Sequence, residues 1–217
     1  MANFDALRPA TLGALSYLSR ETGGGGGGQT VEVVGCWPFV ENGLDIVGSA
    51  NYTVNSFLTA NLDTYARMTT PDPSISLPDT YSFETLFYMN GDGINNDYLQ
   101  VGSLKFYRTQ RQPTFNFRIT GSNAIEIATG MLTQQTFHYG IVKTSGKYKC
   151  YLNGVYKGEV NVPTTETQTL LFSKEASVGF RNARLCVGDI TQNGVFPIRK
   201  DWCAPFTIEN CHIIGGG

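Results

Sequence analysis

Phe137-His138-Tyr139-Gly140-Ile141-Val142-Lys143-Thr144-Ser145-Gly146-Lys147-Tyr148-Lys149-Cys150-Tyr151-Leu152-Asn153-Gly154-Val155-Tyr156-Lys157-Gly158-Glu159 is the stretch on which the fold turns. It breaks into three runs, Phe137 to Lys143, Lys147 to Leu152 and Val155 to Val160. These are rich in Tyr, Phe, Val and Ile, side chains that suit a pleated, half-buried surface. Asn153 and Gly154 separate the second run from the third. Both tolerate positive φ, which a tight two-residue turn demands, so the pair marks a hairpin. Ser145-Gly146 supplies a turn between the first run and the second. Three successive antiparallel strands are predicted.

The same grammar extends outward. Val31 to Val34, Thr80 to Met89, Leu104 to Arg108, Thr114 to Ile119, Ala124 to Ala128, Gln168 to Phe172 and Arg184 to Val187 all read as strands. Gly121-Ser122-Asn123 marks another turn, and Pro71, Pro73 and Pro78 sit in a loop. So many short strands with no long helix between them predict an all-β, antiparallel two-sheet jelly-roll sandwich and leave no parallel α/β fold.

Composition agrees. The 217 residues include 25 Gly, 13 Phe and 11 Tyr, with only 16% charged. A chain of this length can bury one core without staples. It is too apolar, and at a net charge of -2 too nearly neutral, to be disordered throughout. No stretch approaches the roughly 20 apolar residues of a membrane span. Asp5, Arg8 and Arg20 interrupt the first twenty residues, which lack the basic start and apolar block of a signal peptide. The near-neutral charge gives no reason to expect nucleic acid, so neither that partner nor a membrane is anticipated. Basic residues do alternate with Phe106, Tyr107, Phe115 and Phe117, but strand periodicity accounts for the spacing.

Cys36, Cys150, Cys186, Cys203 and Cys211 form no CxxC pair. An odd count without an export signal predicts free thiols in a reducing compartment. Cys203, Cys211 and His212 are too loosely spaced for a structural zinc site, so no metal ligands are assigned.

The chain divides at Gly23 to Gly28, six glycines in a row. Residues 1–22 form an N-terminal arm, 23–29 a glycine linker and 30–217 the sandwich domain. In the arm, Pro9 suits a first helical position, and Leu12, Leu15 and Leu18 with Ala14 make an apolar stripe that Phe4 and Leu7 extend. A helix of about 11 residues is marginal in water on its own. Phe4, Leu7, Leu12, Leu15 and Leu18 are therefore the expected partner-binding surface, docking on another subunit or forming a bundle in an oligomer. Folding back onto the chain's own sandwich is the other reading.

The hairpin resembles the central one of laminin-G-like and concanavalin A-like jelly rolls. Phe137-His138-Tyr139 stands where that family has an aromatic followed by histidines, and Tyr151-Leu152-Asn153-Gly154 where it has Tyr-Val-Asp-Gly. Tyr81-Ser82-Phe83-Glu84-Thr85-Leu86-Phe87 is similar to an upstream strand of the family. Ser177-Val178-Gly179-Phe180 and Ala183-Arg184-Leu185-Cys186-Val187 are similar to downstream ones. The resemblance covers Thr80 to Asp189, half the chain, and implies the fold; function does not follow from fold.

Glucanases of this fold set two carboxylates on one strand as Glu-x-Asp-x-x-Glu, because alternate residues share a face. Here Glu84 is followed two residues on by Leu86, and Glu126 by Ala128. There is no Gly-x-Ser-x-Gly and no His-Glu-x-x-His. His138 and His212 have no acidic partner nearby in sequence, and His138 reads as a structural residue of its hairpin. No catalytic residues are expected and the chain is read as a non-enzyme.

Many relatives on this fold bind carbohydrate, which implies aromatic platforms beside amides or carboxylates. The candidates are Trp37 and Trp202 as platforms, each of which could equally be core, with Asp92, Asn95, Asp97 and Tyr98 in the oxygen-rich stretch from Asn90 to Tyr98. That stretch can hold calcium, though Ile94 falls where an EF-hand needs an oxygen. A solvated turn between strands is the better reading, so no cofactor is assigned beyond that one ion. Charge is segregated: nine acidic residues lie between Glu32 and Asp97 against Arg67 alone, and eight basic ones between Lys105 and Lys157 against Glu126 alone.

The arm, the hexaglycine and the glycine-rich end resemble bacteriophage tail and fibre proteins. The expected function is that of a non-enzymatic virion structural protein, a decoration, fibre or spike component assembled in the host cytoplasm. It would contact other virion proteins, form a homo-oligomer (a trimer by analogy) and offer its sandwich to a host-surface glycan. A lectin-like carbohydrate-binding module is the alternative.

Overall fold

The computed structural model describes residues 30–39, 47–48, 50–60, 63–68, 75–89, 97–108, 115–118, 125–127, 135–165, 167–172, 178–191, 194–196 and 206–207. These form fifteen strands: β1 (Thr30–Val31), β2 (Val33–Trp37), β3 (Val54–Ala60), β4 (Asp63–Met68), β5 (Tyr81–Met89), β6 (Asp97–Val101), β7 (Leu104–Arg108), β8 (Phe115–Arg118), β9 (Ile125–Ile127), β10 (Gln135–Thr144), β11 (Lys147–Leu152), β12 (Val155–Asn161), β13 (Leu170–Phe172), β14 (Val178–Val187) and β15 (Phe206–Thr207). No helix among the described residues is long and apolar enough to cross a membrane.

Every pairing is antiparallel, as the sequence predicts. One sheet runs β12-β11-β10-β5-β14-β4-β3, with β2 also on β14; the other runs β13-β6-β7-β8-β9; β1 and β15 form a small ribbon. The quoted stretch folds as expected. Asn153 and Gly154 take φ of 52° and 76°, the left-handed values their turn requires, and Tyr139 pairs with Leu152 and Thr144 with Lys147.

Alternation explains the layering. In β5, Tyr81, Phe83 and Phe87 point inward with Tyr139 and Ile141 of β10, against Leu99, Leu104, Phe106 and Phe172 of the second sheet. Aromatic rings meet there edge-on, Phe87 with Phe106 at 5.7 Å and 87°, and Phe172 with Phe180 at 4.9 Å and 70°, the geometry their quadrupoles favour. In β7 the alternation shows directly: Phe106 is buried while Lys105 and Tyr107 are partly exposed.

β14 extends the predicted Arg184 to Val187 backwards to Val178 and carries a bulge. Arg181 pairs with Leu86 but Arg184 with Glu84, so one extra residue is inserted on β14. Asn182 sits there at φ 52°, its N–H donating to the Pro38 carbonyl at 3.0 Å. The insertion changes the phase of the strand. Phe180, Ala183 and Leu185 all reach the core, while Arg184 turns to the outer face of the sheet beside Glu84. The bulge also marks the handover of β14 from β4 to β2.

The expectation that all five cysteines are free thiols is corrected at Cys36, which is disulfide-bonded to a partner outside the described residues. Cys150 and Cys186 remain thiols, both buried. A bond between residues remote in the chain leaves no CxxC trace. The arm and linker, including Phe4, Leu7, Leu12, Leu15 and Leu18, lie outside the described residues, as do Cys203, Cys211 and His212. Among the described residues no cluster of metal-ligating side chains occurs.

Candidate functional site

The outer face of the larger sheet carries a buried polar cluster. Alternation along β5, β10 and β14 sends Glu84, His138 and Arg184 to that face, where all three are buried. His138 Nε2 lies 2.8 Å from Glu84 Oε2, and Arg184 Nη2 donates to Glu84 Oε1. Burial lowers the His138 pKa to about 3, so the imidazole is neutral and its Nε2–H donates to the carboxylate. Glu84 and Arg184 balance in charge, and a buried carboxylate survives only with such partners.

A loop after β14 covers this cluster. The Phe196 ring lies 5.5 Å from the His138 ring and 5.4 Å from that of Tyr151, and its N–H donates to the Gly154 carbonyl at 3.1 Å. Glycine at 140 leaves room for this ring: a Cβ there would lie 3.0 Å from two Phe196 ring carbons, tighter than ordinary contact. Ser82 anchors the start of the loop, its Oγ donating to the Gly188 carbonyl at 2.7 Å and accepting from the Ile190 N–H at 3.1 Å.

Where this cover ends, the face opens to solvent. Lys149 Nζ donates to Asp189 Oδ2 at 3.1 Å, and Thr191 donates twice to Asp189 Oδ1, from its N–H at 2.9 Å and its hydroxyl at 2.6 Å. Burial raises the Asp189 pKa, but the Thr191 and Lys149 bonds outweigh it and hold the carboxyl below its usual value. Tyr151 is pushed up to about 12, by burial first and Asp189 second. Beside this polar chain Tyr156 packs edge-on to Tyr151 at 5.6 Å yet is 45% exposed, and Val155 next to it is 57% exposed. Lys147 and Glu159 pair on the same side. An open aromatic ring bordered by fixed donors and acceptors is the arrangement that can receive a sugar: the ring takes the apolar C–H face, and the polar groups take hydroxyls.

The sequence candidates lie elsewhere. Trp37 is fully buried among the core aromatics, folded over Gly35, its Nε1–H donating to the Ala50 carbonyl at 2.6 Å. Tyr98 is also fully buried, its ring 5.6 Å from that of Phe87. Neither offers a ring face to solvent: Trp37 takes the core role that the sequence left open beside the platform one, and Tyr98 is a core residue too. Trp37 falls on the inward side of β2, opposite Ala183, and Tyr98 turns inward at a bulge, where Asp97 pairs with Tyr107 but Leu99 with Phe106. Asp97 begins β6, opposite Tyr107 of β7. Asp92, Asn95 and Trp202 lie outside the described residues. The Glu84–His138 contact, which sequence spacing hides, joins residues 54 positions apart; His138 is buried, as a structural residue of its hairpin should be. Tyr156 was within reach of sequence reasoning, because it follows a two-residue turn on a hairpin arm whose outer face is half-exposed.

No family model and no curated protein matches the chain. Solved structures do resemble it. Trypanosoma rangeli sialidase, in complex with a difluorinated 2-keto-3-deoxynononic acid, superposes with a TM-score of 0.52 at 12% identity, over 70% of this chain and 30% of that one. The same sialidase with sialic acid gives 0.51 at 11% identity over the same shares. A structure of botulinum neurotoxin type C reported with its dependence on two ganglioside molecules gives 0.49 at 9%, over 73% of this chain and 48% of that one. The chain thus spans less than a third of the sialidase's length. The likeness to the sialidase is one of fold, and it defines this chain as an antiparallel β-sandwich of the jelly-roll kind.

Proposed function

We propose that this protein is a carbohydrate-binding β-sandwich whose site is the half-open face around Tyr156. The observation that carries the reading is the exposed Tyr156 ring beside the chain of polar groups formed by Lys149, Asp189, Thr191 and Tyr151. The polar groups are held by one another before any ligand arrives, so little side-chain entropy is lost on binding. Glu84, His138 and Arg184 act beneath as supports for Phe196 and Tyr151, not as reactive groups, and binding without catalysis is the role assigned.

A glycan array probed with the purified chain, in calcium and in chelator, tests this. Binding that disappears in Tyr156→Ala and Asp189→Ala supports it; a blank array under both conditions overturns it. Signal restricted to the calcium arm would point to a bound ion and turn attention from the Tyr156 face to Asp92, Asn95 and Asp97.

The setting in which the sandwich is carried is a second proposal, resting on sequence alone. The apolar stripe of residues 1–22 and the six glycines from Gly23 to Gly28 suit an arm that docks on a virion while the sandwich faces outward toward a host-surface glycan. Deleting residues 1–28 should then abolish incorporation into particles and leave glycan binding intact. Unchanged incorporation would sink the arm's role.

A further inference from the structure

The larger sheet ends at β3, whose outer edge carries no strand among the described residues. Natural sheets blunt such an edge with charge, proline or brevity, because its open N–H and C=O groups invite another strand. Val54-Asn55-Ser56-Phe57-Leu58-Thr59-Ala60 uses none of the three: it is seven residues long with no charged residue and no proline. Its bulge against β4 lies at the Val54–Ser56 end, leaving Ser56 to Ala60 in regular pairing. Phe57 stands opposite Ala66, a core residue, and therefore on the inward side of the sheet, yet it is 40% exposed because the sandwich stops there.

We infer that β3 is a homodimer interface, pairing antiparallel with β3 of a second copy across a two-fold axis at Phe57. That register sets Phe57 against its own copy, Ser56 against Leu58, Asn55 against Thr59 and Val54 against Ala60, so no charge meets a like charge. Directly opposed residues of an antiparallel pair have Cβ atoms about 5 Å apart, so the two Phe57 rings cover each other and continue the core-side face through the axis. A two-fold contact uses one patch on both copies, so the strand needs to complement only itself. The net charge of -2 per chain opposes association weakly. The two sheets become one continuous sheet, and because β12 is its opposite end, both Tyr156 faces remain open. The inference stands whether or not those faces bind sugar.

Sedimentation velocity on the full chain and on Phe57→Lys and Phe57→Glu variants decides the matter. The expected result is a dimer for the wild type, monomers for each variant alone, and a restored dimer when the two variants are mixed, since opposite charges then meet on the axis. Circular dichroism and melting should match the wild-type monomer, Phe57 being a partly exposed edge residue. A wild type that stays monomeric across the concentration series overturns the inference, as do variants that remain dimeric or folded variants that fail to recombine.

Discussion

Nε2 of His138 lies 2.8 Å from Oε2 of Glu84, diagonally across β10 and β5 on the covered side of the sheet. The unfolded chain protonates a histidine near pH 6.5, whereas this imidazole resists protonation down to about pH 3. The unfolded state therefore binds the extra proton first. The stability this neutral histidine contributes is present in full above pH 6.5 and is lost as pH falls toward 3, by as much as about 1.4 kcal/mol per pH unit. Denaturant titrations across that range should show the slope, and His138→Gln should flatten it. An identical slope in the variant would remove His138 as its source.

Arg184 reaches Glu84 only because the β14 bulge turns it out of the core. Arg184→Met leaves the buried carboxylate without its guanidinium and should cost about 3–5 kcal/mol. Adding Glu84→Gln removes the charge and should recover part of the loss. The comparison is of midpoints in urea at equal m-values; additive losses would mean that the two side chains do not act as a pair.

Asn153 does two things in its turn. It holds φ at 52°, and its Oδ1 accepts from the His138 N–H at 2.9 Å. Asn153→Gly keeps the backbone and forfeits the bond, for about 1 kcal/mol. Asn153→Ala forfeits the bond and strains the backbone, for roughly 1–2 kcal/mol more. Melting temperatures should fall in the order wild type, glycine, alanine.

Cys36 is bonded while Cys150 and Cys186 stay buried thiols. Peptide mapping without reductant should find the Cys36 peptide cross-linked, and alkylation of the denatured, unreduced chain should label Cys150 and Cys186. Labelling of Cys36 would restore the all-thiol reading.

How far the sequence could be read divides along physical lines. Strands that alternate strongly and end in Gly or Asn turns were legible: β7 and β11 match their predicted limits, and the Asn153-Gly154 turn is where it should be. β3 and β4 were not: β3 is an edge strand that carries Asn, Ser and Thr beside a single Phe, which propensity reads as loop, and β4 is short and opens on Asp63 and Thr64. β6 was hidden behind the oxygen-rich stretch, whose last residues, Asp97 and Tyr98, are already strand. The buried cluster was invisible for a different cause. Its members are 46 and 54 positions apart, and the Arg184 contribution depends on a one-residue bulge that no periodicity announces. For Trp37 strand parity decided for the core, and for Tyr98 the bulge in β6 did, which no periodicity announces.

Gly140 links that buried cluster to the open face. Its missing side chain admits the Phe196 ring, which in turn backs Tyr151 and through it Tyr156. Gly140→Ala puts a methyl within 3.0 Å of two ring carbons, so Phe196 must move. Overpacking of this kind costs about 1–3 kcal/mol. The displaced loop also carries Asp189 and Thr191, so glycan affinity should fall although no residue of the open face has changed. A second substitution, Phe196→Leu, makes room for the methyl and should restore most of the melting temperature. It should restore affinity less, because a leucine does not offer Tyr151 the flat backing of the phenyl ring. Affinity and melting temperature that recover together would mean that Phe196 only fills space and does not orient the site.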